Sequence, residues 1–155
     1  MITFKNVVGY LQTIADNHLE LQSFHSGYLD EVDIAKLGAA DYTILYAEPG
    51  TATINTGVLT YSFTLYVMDL IQDDLSDRND AFSETLQILQ DVINEFKHSL
   101  YTTSWVDGQV VLDVPISAEP FTAKFDNELT GWNATITVQV NNPNNLCISP
   151  ITPNS

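Results

Sequence analysis

Positive charge is scarce in this sequence: Lys5, Lys36, Arg78, Lys97 and Lys124 stand against 20 acidic residues, for a formal net charge of -15. Gripping a polyanion takes clustered Lys and Arg, so nucleic-acid binding is excluded as a function class, and adhesion to an anionic membrane goes with it. Cys147 is the only cysteine, which rules out an intrachain disulfide and any CxxC or Cys/His zinc pattern. No run approaches the ~20 apolar residues of a membrane span. The opening MITFKNVVGYLQTIADNH is helically spaced and lacks an apolar stretch with a small-residue cleavage site, so it does not read as a signal peptide. Without that signal, the sequon Asn133-Ala134-Thr135 reads as chance.

Catalytic motifs are missing too. His18, His25 and His98 are scattered, without HxxxH or HExxH spacing, and there is neither GxSxG nor a glycine-rich phosphate loop. The pair Glu48 and Asp69 has the right chemistry for acid/base work, yet carboxylates are so plentiful here that such pairs arise without purpose. No catalytic residue, metal site or cofactor is expected, and the chain reads as a non-enzyme.

What is present is a globular composition, 45% hydrophobic and 16% charged over 155 residues, enough for one two-layer core. Phe4, Val7, Val8, Leu11, Ile14 and Ala15 recur at helical spacing and predict a helix over roughly 3–17, with Thr3 as N-cap. A short strand from Leu19 to Gly27 follows. After a segment of ambiguous pattern (28–40), the run from Asp41 to Ala47 is apolar on both faces and predicts a central strand. Glu48-Pro49-Gly50 has turn chemistry, and 51–57 reads as a polar, Thr-rich stretch that projects as a long hairpin or loop. Alternation over 59–68 gives a strong strand, with Tyr61, Phe63, Leu65 and Val67 on one face.

Five carboxylates, Asp69, Asp73, Asp74, Asp77 and Asp80, crowd the next turn. Their order lacks the glycine and terminal glutamate of a calcium loop, so they are read as a helix start that complements free amides and the macrodipole. The helix over 77–98 carries Phe82, Thr85, Leu86, Leu89, Val92, Ile93 and Phe96 on one stripe. Strands at 101–106, 109–116 (after the turn Asp107-Gly108) and 121–126 come next. The last strand places Trp132, Ala134, Ile136, Val138 and Val140 inward. The organisation is a single α+β domain over 1–141, a mostly antiparallel sheet packed on two main helices, with an irregular Asn/Pro-rich tail over 142–155. Most aromatics, among them Tyr42, Tyr61, Phe63, Trp105 and Trp132, are assigned to the core. Tyr46 and Tyr66 fall where the second sheet face looks covered, which suggests burial by another subunit.

The stretch YSFTLYVMDLIQDDLSDRNDAFSETLQILQDVINEFK, together with the closing GWNATITVQVNNPNNLCISP, resembles the tail terminators and related head–tail junction (neck) proteins of tailed bacteriophages. These motifs are patterns of fold and turn, so no functional side chain carries over. The resemblance implies a tail-terminator-like fold and a virion structural protein, assembled in the host cytoplasm into a hexameric ring. It would cap the tail tube protein and join it to the head connector, with genomic DNA passing unheld through an acidic lumen. A head completion or stopper protein is the alternative, and a binding module or small enzyme a more distant one. Two polar excursions at strand ends are the expected contact regions: Glu48, Thr51, Thr53 and Asn55 in the first, and Asp73, Asp74 and Asp77 in the second.

Overall fold

The computed structural model describes residues 3–27, 42–70, 78–102, 110–112, 115–122 and 129–142. They form α1 (Phe4–Asn17), β1 (Ser23–Ser26), β2 (Ile44–Pro49), β3 (Thr53–Asn55), β4 (Gly57–Leu70), α2 (Arg78–Thr102), β5 (Val110–Leu112), β6 (Ala118–Thr122) and β7 (Leu129–Asn142). The strands make one sheet in the order β1-β2-β4-β7-β5, with β3 also on β4 and β6 also on β7. Only β1 and β2 run parallel; the other pairings are antiparallel. The α+β class and the mostly antiparallel sheet follow the periodicities of the sequence.

β4 and β7 are the spine. They pair along their full length, from Gly57 opposite Asn142 to Leu70 opposite Leu129, a ribbon about 45 Å long at strand rise. Tyr61, Phe63, Leu65 and Val67 of β4 and Ala134, Ile136, Val138 and Val140 of β7 share one buried face, and both helices pack on it. Along β7 the residues between them are half-buried or exposed, the alternation that the sequence predicts.

α1 starts with a capping box: the Asn6 amide donates to Thr3 Oγ1 (3.2 Å) and the Thr3 amide donates to Asn6 Oδ1 (2.9 Å). Its buried stripe is Val7, Leu11, Ile14 and Ala15. Phe4 stays 46% exposed, though its ring stacks on Phe63 at 5.2 Å.

α2 begins at Arg78 with Asp80 in its first turn, where a carboxylate meets the positive end of the helix. Its buried stripe is Ala81, Thr85, Ile88, Leu89, Val92 and Phe96. Leu86, assigned to the stripe on spacing, is exposed, and Ile88 is inside; the buried arc is turned by a fraction of a helical turn from the one the sequence suggests. Thr85 is buried because its hydroxyl donates to the Ala81 carbonyl at 2.6 Å, the backbone bond that lets a helix bury a threonine. Trp132 fastens helix to sheet, its Nε1–H donating to the Phe82 carbonyl at 2.9 Å while its ring meets Phe82 edge-on.

Several boundaries differ from the sequence reading. Leu19 is 95% exposed, and the first strand starts only at Ser23, because so short an alternation is satisfied by Leu21 alone. Tyr101 and Thr102 belong to the last turn of α2, whereas the turn Asp107-Gly108 lies outside the described residues. The expected strand over 109–116 covers only Val110–Leu112. β6 starts at Ala118, and β7 already at Leu129 within the expected turn. β7 also runs to Asn142, one residue past the expected domain end; the remaining tail is outside the described residues.

β2 is buried on both faces from Ile44 to Ala47, though β4 and β7 take the centre of the sheet. On the face away from the core, Tyr46 and Tyr66 are opposite one another, 1% and 7% exposed within the single chain. Their burial therefore requires no second subunit, contrary to the sequence expectation. Farther along that face Ser62, Thr64 and Thr137 are half-buried and Thr135 is exposed.

Candidate functional site

The first expected contact region is the arm of a hairpin, one of the two forms, hairpin or loop, that its sequence allowed. Glu48 and Pro49 complete β2, half-buried opposite Thr64 and Phe63. β3 then resumes along the same side of β4, with Thr53 opposite Thr60, Ile54 opposite Leu59 and Asn55 opposite Val58. Between the last β2 pair and the first β3 pair, Gly50, Thr51 and Ala52 face only Tyr61 and Ser62. One extra residue on one strand is a β-bulge, so Ile44–Leu70 is a single long hairpin with a bulge in one arm.

Each part has a local cause. At Gly50 the backbone amide donates to the Ser62 carbonyl at 2.7 Å, and a Cβ there would press on Ser62 O and Oγ at 3.3 Å. At the tip Gly57 takes φ +76°, a conformation glycine adopts freely. Asn55 Oδ1 accepts the Thr56 amide at 2.8 Å, which satisfies a donor that the tight turn would otherwise leave to water.

The bulge resets which side chains share a face. Before it, Leu45 and Ala47 lie on the core side; after it, Ile54 does, beside Leu59, while Thr53 and Asn55 turn to the second face. Ile54 is 80% exposed, and Thr51, Thr53, Asn55 and Val58 are exposed as well. An apolar, β-branched side chain at an open sheet edge is a feature that soluble proteins usually blunt with charge. Here the surroundings hold none: residues 49–68 and 129–155 contain no Asp, Glu, Lys or Arg. In a chain of net charge -15, the acidic residues are kept off the hairpin tip and off β7, with Glu48 and Asp69 standing just outside the charge-free stretch of the hairpin. This blank in the charge map is readable in the sequence and was the signal for the surface.

Of the expected contact residues, Thr51, Thr53 and Asn55 come together on the bulged arm, and Glu48 sits below them on β2. Asp73, Asp74 and Asp77 lie outside the described residues. Glu48 and Asp69 do not form an acid/base pair: Asp69 is five positions along β4 from Thr64, the partner of Glu48. That places the carboxylates about 17 Å apart and on opposite faces.

Two concavities lie elsewhere. A cleft of about 760 Å³ between α1 and α2 is lined by Tyr10, His18, Asp91, Glu95 and His98 among others. His18 closes its rim, with Nε2 3.1 Å from Asp91 Oδ2 and Nδ1 accepting the Glu20 amide at 3.1 Å. Since Nδ1 is an acceptor, the ring proton is assigned to Nε2; Nε2 ties the end of α1 to α2, and Nδ1 braces the turn that follows α1. An imidazole so engaged has no lone pair left for a substrate. The second, an apolar groove of about 330 Å³, runs between Leu86, Leu89 and Ile93 of α2 and Leu112, Ile116 and Ala118. Among the described residues, no three His, Cys, Asp or Glu side chains converge as metal ligands, and no helix is long and apolar enough to cross a membrane.

Two tyrosines are electrostatically perturbed. Burial raises the Tyr66 hydroxyl above its ordinary value, and the nearby Glu48 carboxylate raises it further. Burial likewise raises Tyr61, opposed by a hydrogen bond with the Phe4 backbone. Both shifts keep the phenols neutral and structural.

No protein-family model matches this sequence, and no curated protein matches it either.

Proposed function

We propose that this chain is an assembly protein of a tailed-bacteriophage virion, a ring-forming tail terminator that caps the tail tube and joins it to the head connector. The observation that carries the reading is the long bulged hairpin, with its exposed Ile54 edge and its charge-free surroundings in a strongly acidic chain. Surfaces that present apolar edge strands without charge are suited to protein contacts, and like-charged copies can meet there without opposing carboxylates. The sequence resemblance supplies the biological setting. In that setting the remaining acidic surface gives DNA no cationic hold as it passes through the lumen.

The test is electron cryo-microscopy of the purified protein, alone and mixed with polymerised tail tube. Closed rings that seat on tube ends are the expected result. Rings that ignore the tube and bind the connector would shift the role to a stopper or completion protein. Compact protomers at high concentration, with no association to either neighbour, would defeat the reading.

A further inference from the structure

The strand register describes both edges of the sheet at the hairpin end. One row of paired residues crosses the sheet there, Ile54–Leu59–Val140–Val110, and the next is Thr53–Thr60–Gln139–Val111. Among the described residues β3 closes these rows on one side and β5 on the other. Both edges are three-residue strands, Thr-Ile-Asn and Val-Val-Leu, without a charge.

The direction of the backbone groups follows from one bond. Because the Gly50 amide donates to the Ser62 carbonyl, Ser62 and the other even residues of β4 turn their amides and carbonyls toward β2 and β3, and the odd residues turn theirs toward β7. Thr53 and Asn55 are therefore the bonded partners of Thr60 and Val58, and the N–H and C=O of Ile54 point away from β4. By the same alternation Gln139 bonds Val111, and the backbone groups of Val110 and Leu112 point away from β7. Ile54 and Leu112 also belong to one face, that of Leu59 and Val138. Across the row, β3 and β5 run in opposite directions, since β3 opposes β4, β4 opposes β7 and β7 opposes β5.

We propose that the open edge of β3 in one copy pairs with the open edge of β5 in the next copy, antiparallel and with Ile54 opposite Val110, so that the sheet runs on from subunit to subunit. The inference rests on the ring-forming reading above and names the contact that builds the ring. Strand direction, bonding alternation and side-chain face all match across the junction without adjustment. The partner is a second copy because the two edges complement each other and neither brings a carboxylate to the junction, so that copies of net charge -15 can meet there without opposing charges. Using two different edges makes the contact heterologous, the type that closes into rings.

The experiment mixes two variants of the full chain in a Cys147→Ser background, one carrying Ile54→Cys and the other Val110→Cys, under mild oxidation. Bonded antiparallel partners lie about 5.5 Å apart at Cα, within the span a disulfide bridges. The expected result is a heterodimeric disulfide in the mixture, a ladder of linked multimers from the doubly substituted chain, and neither from Val110→Cys alone. Ile54→Pro provides a second readout: it removes only the outward N–H, a site where an edge strand tolerates proline. It should reduce the solution mass to that of the protomer and leave circular dichroism unchanged. Oligomers of wild-type mass that give no Ile54–Val110 disulfide, or that survive Ile54→Pro, would overturn the proposed contact and leave the ring reading standing. A disulfide between two Ile54→Cys chains, ending at dimers, would replace the contact with a two-fold β3–β3 pairing. A wild-type chain that is monomeric by mass at all concentrations would remove both.

Discussion

Gly131→Ala and Gly9→Ala are the same chemical change, and the structure assigns them opposite signs. Gly131 faces Met68 in the spine, where an ideal Cβ would run into the Val67 carbonyl oxygen and lie 2.9 Å from the Val67 carbonyl carbon and 3.2 Å from the Met68 Cα. All three are backbone atoms and cannot rotate aside. To reach ordinary contact β4 and β7 must part at the Val67–Trp132 pair, at a cost of about 1–3 kcal/mol for overpacking and about 1 kcal/mol for each backbone hydrogen bond stretched. The total is about 3–5 kcal/mol, against a gain below about 1 kcal/mol from stiffening the unfolded chain. At Gly9, on the exposed side of α1, a Cβ meets nothing within 4 Å, and helix propensity alone gives a stabilisation of about 0.5–1 kcal/mol. Urea unfolding followed by tryptophan fluorescence measures both changes as midpoint shifts at constant slope. A Gly131→Ala protein with the wild-type midpoint would refute the β4–β7 register, and with it every facing argument made from that register.

Other substitutions test the remaining joints. Thr3→Ala removes the capping box and should lower stability by about 1 kcal/mol, most of which Thr3→Ser restores, by the same urea assay. Trp132→Phe keeps the aromatic contact with Phe82 but loses the indole hydrogen bond to the Phe82 carbonyl; a cost of about 1 kcal/mol is expected, and a neutral result would mean that the bond adds nothing. Tyr66 should ionise above 10.0 in ultraviolet titration, with Glu48→Gln lowering the value without fully restoring it, since burial is the larger cause. Because the unfolded chain releases that proton first, native stability falls as pH rises from 10.0 toward the folded value, and Tyr61 contributes in the same direction.

The parts of the fold that were legible in the sequence are those where one physical demand dominates. β7 alternates cleanly because one of its faces is core and the other is not, and α1 carries both its cap and its stripe in the first 15 residues. Legibility fails where two demands compete. In α2, Leu86 and Ile88 are both apolar, and only the position of the sheet decides which is buried. In the hairpin, Glu48-Pro49-Gly50 has the composition of a turn, yet pairing with β4 overrides it and confines the irregularity to the bulge. The candidate contact residues were found on polarity. The residue that most distinguishes the surface, Ile54, was passed over because a single isoleucine among threonines carries no periodic signal.

The bulge has a further consequence for how this protein can change. Because the surplus residue between Pro49 and Thr53 is taken up in the bulge and not in the ladder, Ile54 stays opposite Leu59 and on the helix side; the facing of the hairpin tip is held by where the irregularity sits and not by the length of the segment. Substitutions along 50–52 can accumulate and leave the tip as it is, provided that Gly50 keeps its close approach to Ser62. Deleting one residue there would remove the bulge and leave two residues facing Tyr61 and Ser62, so that Thr53 would still meet Thr60 and Ile54 would keep its face; the tip would turn inside out only if the surplus residue entered the ladder and set Ile54 opposite Val58. Related chains should therefore tolerate the loss of the one bulge residue as well as changes of letter along 50–52, while the pairing of Thr53, Ile54 and Asn55 with β4 stays in place.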